Sequence, residues 1–84
     1  MDEMVTLVLA DGSVAVVSVT AARTIVDSLW DMGLAPGAVT AATRIVDAVA
    51  APPALRHRVE FTEREDASLR RAADGMVDWR TLGR

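Results

Sequence analysis

The chain has 84 residues, a formal net charge of −3, no cysteine and one histidine. This length suits one small domain, and the lack of cysteine excludes disulfides and cysteine-ligated metals. The negative charge argues against non-specific binding to polyanions such as nucleic acids. No stretch resembles a secretory signal or a membrane helix, so the sequence favours a cytoplasmic protein without membrane contact.

The N-terminal part predicts a β-hairpin. Residues 4–10 and 13–19 are rich in β-branched side chains and flank Asp11 and Gly12, a pair that favours a tight two-residue turn. With this turn, we expect the following cross-strand pairs on one face: Leu9 with Val14, Leu7 with Val16, and Val5 with Ser18.

The opposite face of the predicted hairpin, which holds Val8 and Val17, is also mostly apolar. A hairpin with one face in water normally alternates apolar and polar residues. Either this chain covers both faces or a second chain covers one of them. Because so short a domain has little material for two covering layers, the pattern favours a homodimer.

Two similar segments, residues 19–27 and 39–47, both predict amphipathic helices. The first is expected to begin with Thr20 as N-cap and to end near Met32, with Gly33 in a left-handed conformation. Its expected buried residues are Ala22, Ile25, Val26, Leu29 and Trp30.

The start of the second helix has two alternatives. Pro36 suits the first helical position, whereas the repeat places the N-cap at Thr40. The helix must end by about Ala51, before two prolines. Its expected buried residues are Val39, Ala42, Ile45, Val46 and Val49.

The C-terminal third predicts a strand and a third helix. Residues 55–61 alternate apolar and polar side chains, and Thr62 with Glu65 forms a capping-box pattern that begins a helix ending near Gly75. Residues 76–84 form a tail that is either flexible or docked. We therefore expect one α+β domain over residues 1–84, ordered ββααβα, with a three-stranded antiparallel sheet and three helices mainly on one face.

No residue pattern predicts catalysis or a cofactor. His57 is the single histidine, and a lone histidine on an apolar strand face is more often packed than catalytic. Three acidic residues near the start of the third helix suit the helix dipole better than a metal. We therefore predict no catalytic, cofactor-binding or metal-binding residue, and the chain is not expected to be an enzyme.

The leading interpretation is a small regulatory protein that binds a protein partner, first of all a second copy of itself. A tryptophan beside an arginine is typical of interface anchors, and the arginines of the third strand present a charged face. The predicted partner-binding residues are Val8, Val17, Arg56, Arg58, Trp79 and Arg80.

The alternative interpretation is a DNA-binding regulator. The apolar-glycine-apolar turn at residues 32–34 is typical of helix-turn-helix motifs, and residues 25–50 would form the motif. The expected DNA contacts are Thr40, Thr43 and Arg44. These are few contacts for a phosphate backbone, and Asp47 beside them would repel it. Nucleic acid is therefore the less favoured partner.

Overall fold

The computed structural model describes residues 3–51 and 58–81. Within these ranges the chain forms an α+β domain with three helices, as predicted. The elements in chain order are β1 (Met4–Val8), β2 (Ser13–Ser18), α1 (Val19–Asp31), α2 (Ala38–Ala50), β3 (Val59–Glu60), α3 (Glu63–Ala72) and β4 (Arg80–Thr81).

The sheet has the strand order β3-β1-β2-β4 and is mixed. β3 lies beside β1 as expected, but it runs parallel to it, so the prediction of an entirely antiparallel sheet is wrong. The reason is the pair of helices between β2 and β3. α1 leads the chain away from the end of β2 and α2 brings it back, so β3 begins near the end of the sheet where β1 begins.

A fourth strand, which the sequence did not predict, comes from the C-terminal tail. Arg80 and Thr81 pair with Val14 and Ser13 of β2 in antiparallel register. The described part of the tail is therefore docked, and Val77 and Trp79 pack against the core.

The hairpin register differs by one residue from the prediction. Val8 pairs with Val14, so the loop is longer than a two-residue turn. The amide of Gly12 donates to the carbonyl of Leu9 (3.0 Å), and Gly12 adopts a positive φ of 93°. This is a turn closed by a glycine bulge. A shift of one residue moves every side chain of a strand to the other face, so Val17 lies on the core side.

Two of the three helices begin at residues other than those predicted. The Ser18 side chain caps α1 by accepting from the Ala21 amide (3.1 Å), and Ser18 lies two residues before the expected Thr20 cap. Gly37 precedes α2 with φ of 77°, and a Cβ there would lie 2.5 Å from the Arg64 carbonyl oxygen. Only glycine fits this contact between the start of α2 and α3.

The capping box that begins α3 is confirmed, with both of its reciprocal hydrogen bonds present. The three helices cover one face of the sheet, as predicted, and enclose one apolar core. Its fully buried larger side chains are Val5, Leu7, Ile25, Leu29, Ile45 and Leu69.

The α2 face that meets the core is rotated from the predicted one. Ala38 and Ala41 are buried, whereas Val39 and Val46 are each nearly half exposed. The predicted burial of Trp30 is also wrong, because about half of this side chain is accessible. Small alanines thus let α2 approach α1 and α3 closely, and larger apolar residues are left outside.

Candidate binding surfaces

The first candidate surface is the outer face of the sheet, which none of the helices in the described part of the chain covers. Residues Thr6, Val8, Val14 and Val16 share this face because they alternate with the core residues of β1 and β2. Met4 and Val16 keep 51% and 59% of their surface exposed. A depression of about 500 Å³ runs beside Val14 and Val16. This face therefore combines apolar strand residues with open access.

Each lateral border of the outer face carries an ion pair. On the β3 side, Arg58 Nε lies 3.5 Å from a Glu60 carboxylate oxygen. On the β4 side, an Arg80 nitrogen lies 3.4 Å from an Asp78 oxygen. Arg58 and Arg80, two of the predicted partner-binding residues, thus flank the apolar strip. Among the described residues, each border thus holds one ion pair with one positive and one negative group, so these border charges are balanced.

The other predicted partner-binding residues have different positions. Val8 lies on the outer face, but only 8% of its surface is exposed. Val17 belongs to the core, and 5% of its surface is exposed. The one-residue register shift explains why these two valines lie on opposite faces. Arg56 lies outside the described residues. Trp79 is partly buried against the core.

Trp79 belongs to a polar network that joins the tail and α3 to the hairpin loop. Arg70 lies 5.7 Å above the Trp79 ring centre, and its guanidinium donates to Asp11 (2.7 Å) and to Ser13 (2.9 Å). The Ser13 amide, the Ser13 hydroxyl and Arg70 hold the pKa of Asp11 below its ordinary value. A cation over an indole ring is a favourable contact, so this network fixes the loop and the tail.

A second network contains the residues predicted to contact DNA. The Arg44 Nε donates to both carboxylate oxygens of Glu65, at 3.0 and 2.8 Å, and Glu65 is 1% exposed. The hydroxyls of Thr40 and Thr43 donate to backbone carbonyls one helical turn earlier. These donors are used within the domain, which leaves few of them for phosphate. DNA binding stays a prediction. Its three expected contact residues all form hydrogen bonds within the domain.

Glu65 is the most deeply buried carboxylate described. Burial by itself raises the pKa of Glu65. This effect is outweighed by hydrogen bonds from the Thr62 amide, from Arg44 and from the Thr62 and Thr40 hydroxyls, so the pKa of Glu65 lies below its ordinary value. The carboxylate therefore stays charged and fully paired, which is typical of a structural group.

The second candidate surface, which the sequence did not reveal, is the outer side of the α1–α2 pair. A groove of about 440 Å³ lies between the two helices, lined by Arg23, Val26, Asp27, Val46, Val49 and Ala50. Trp30 and Val39 lie along the same helices and are each about half exposed. The helical periodicity of the sequence predicts that Trp30 and Val39 are buried, whereas the packing of the helices leaves both exposed.

Among residues 3–51 and 58–81, no group of three or more histidine and acidic side chains could hold a metal ion. His57 lies outside these ranges. In the same described part of the chain, every helix is too short or too polar to cross a lipid bilayer.

Comparisons with known proteins return no match: no protein family, no curated protein and no solved structure shows significant similarity to this chain.

Proposed function

We propose that the chain is a small, non-enzymatic, regulatory protein of the cytoplasm that binds protein partners and forms a homodimer through the outer face of its sheet. The observation that carries the proposal is the exposure of Met4 and Val16 on a strand face that α1, α2 and α3, the helices of the described residues, leave uncovered. Exposed apolar strand residues on an open sheet favour association.

The dimensions of the domain support a dimer of two sheets packed face to face. The Cα atoms extend over 33 × 31 × 21 Å, and the shortest dimension corresponds to one sheet and one layer of helices, each about 10 Å thick. A stable interface needs about 800 Å² from each partner, which is more than the four short strands offer alone, so the loops beside the sheet must also take part in the contact.

The border charges support a second copy as the occupant. In a two-fold arrangement with the axis parallel to the strands, the β3 border of one copy faces the β4 border of the other. Glu60 then approaches the arginine of the opposite border, and Arg58 approaches its aspartate. Like charges need not meet, so self-association carries little electrostatic penalty.

A non-enzymatic role is supported by the state of the titratable groups. Among the described residues, the carboxyl groups of Asp11 and Glu65 have shifted pKa values, and both form hydrogen bonds that hold elements together. Catalytic acids and bases instead need a reachable proton in a cleft.

Sedimentation equilibrium tests the proposal. We expect wild-type protein at about 100 µM to have the mass of two chains, with a dissociation constant in the micromolar range. Val16→Asp should yield a monomer, because a charge on this face must be desolvated on dimerisation. Leu34→Asp, which adds the same charge at a fully exposed loop residue, should leave the dimer intact. A wild-type monomer at every concentration would contradict the proposal.

A further inference from the structure

The outer face of the sheet carries charges at both ends of a row of residues that crosses all four strands. Strand pairing places Val8 beside Glu60 on one side and beside Val14 on the other, and Val14 beside Arg80. In the strand order β3-β1-β2-β4, this first row consists of Glu60, Val8, Val14 and Arg80. The first row is therefore negative at its β3 end, apolar in the middle and positive at its β4 end.

A second row lies two residues away along the strands and has the opposite signs at its ends. Val59 and Trp79 pack against the core, so the residues on either side of each project to the outer face. The same strand registers, continued by two residues, give a second row of Arg58, Thr6, Val16 and Asp78. The second row is therefore positive at its β3 end and negative at its β4 end.

The four charged residues lie at the rim of the outer face rather than at its centre. All of them are exposed, and Arg58 and Glu60 also line a depression at the β3 edge together with Asp47. Charges at the rim of an interface act mainly on the orientation and the choice of the partner, because like charges that meet there are unfavourable. The two rows therefore restrict how a second sheet can lie on the first.

Two sheets that pack face to face keep their strands within about 30° of each other, so a two-fold axis runs either along the strands or across them. With the axis across the strands, each border faces the same border of the copy. Glu60 then meets its own copy if the axis lies at the first row, and Arg58 does so if it lies at the second. Opposite charges meet only with the axis midway between the rows, which places the exposed Met4 opposite the hairpin loop, where β1 and β2 have ended.

With the axis along the strands, each row faces the same row of the copy in reverse order, so opposite charges meet at both ends. Met4 then stays opposite a strand of the copy. We propose that the border charges fix the two-fold axis of the homodimer along the strands and select a second copy of this chain as the partner. The pairs between copies are Glu60 with Arg80 and Arg58 with Asp78. This inference rests on the proposed homodimer and adds its orientation and the residues that determine its specificity.

Two variants, each with one reversed border, test the proposal. The β3 variant carries Arg58→Glu and Glu60→Arg, and the β4 variant carries Asp78→Arg and Arg80→Asp. In the homodimer of either variant like charges meet, so each should self-associate at least about tenfold more weakly than the wild type. In an equimolar mixture of the two variants, opposite charges meet again at both borders, and a heterodimer should form with about the wild-type affinity. Sedimentation equilibrium over a series of concentrations measures these dissociation constants.

The mixture also controls for folding, because substitutions that merely disrupted the domain or the docking of β4 would weaken the mixture too. A variant that exchanges two exposed charges of α1, Arg23→Asp with Asp27→Arg, is the matched control and should dimerise as the wild type does. An axis across the strands gives the opposite result, with two self-associating variants and no heterodimer. A mixture that associates no more tightly than the variants alone would overturn the orientation and leave the homodimer standing. A wild-type monomer at every concentration would overturn both.

Discussion

α3 and the α1–α2 pair differ in how their charged side chains are used. In α3, Glu65 caps the helix and binds Arg44, and Arg70 binds the hairpin loop. Asp31 of α1 and Asp47 of α2 form no ion pair with another described residue, and both lie in the last turn of their helix, where a negative charge is unfavourable. The difference indicates that α3 is organised for stability, whereas the α1–α2 surface retains groups that stability does not explain.

The largest expected effect is a loss of stability at α3. Glu65→Ala removes the bonds to Arg44 and to the Thr62 amide, and should lower the free energy of unfolding by about 3 kcal/mol. Glu63→Ala, at an exposed residue two positions earlier, is the matched control and should cost less than about 1 kcal/mol. Urea denaturation measures both. An equal loss of stability in the two variants would show that the Arg44–Glu65 ion pair does not stabilise the protein more than an exposed charge does.

The pH dependence of stability should sharpen the same contrast. The pKa of Glu65 is lower in the folded protein than its ordinary value of 4.5, so its stabilising contribution is present above pH 4.5. The contribution is lost as the pH falls from 4.5 through the lower folded pKa, because the folded state must then take up a proton that the unfolded state already holds.

Asp11 also has a lowered pKa, so its contribution to stability is likewise lost as the pH falls. Urea unfolding between pH 7 and pH 3 should therefore show decreasing stability in the wild type and a shallower decrease in Glu65→Ala. An identical slope in the two proteins would mean that Glu65 titrates normally in the folded state.

The smallest expected effect is a gain in stability at the end of α1. Asp31→Arg replaces an unfavourable charge at the helix C-terminus by a favourable one and should raise the free energy of unfolding by about 0.3–1 kcal/mol. Arg71→Asp makes the reverse change in the last turn of α3 and should lower it by a similar amount. Thermal unfolding at low salt measures both. A loss of stability in Asp31→Arg would show that Asp31 has a structural role.

The sequence predicted the elements whose signals are local. The capping box of Thr62 and Glu65, the left-handed Gly33 and the three helices depend on neighbouring residues, and the structure confirms them. The prediction of a hairpin is also confirmed, but the predicted pairing of its two strands is wrong by one residue. Asp11 and Gly12 are compatible with both a two-residue turn and the longer bulged loop, and only pairing with the remaining strands decides between them.

The features that sequence reasoning missed depend on contacts between distant segments. The parallel direction of β3 follows from the return of α2, and β4 forms because the tail reaches the edge of β2. The exposure of Val46 follows from the close approach of α2 to α3, where Gly37 meets the backbone of Arg64. Val26 and Val46 occupy equivalent positions in the two similar segments, yet only Val26 is buried.

The central claim is that the outer face of the sheet binds a second copy of the chain. The most direct measurement compares amide NMR spectra of isotope-labelled protein at about 20 µM and about 500 µM without any partner. We predict concentration-dependent shifts at Thr6, Val14 and Val16 and none at Asp27 or Val46. Shifts confined to the helical residues, or no shifts at any concentration, would contradict the account.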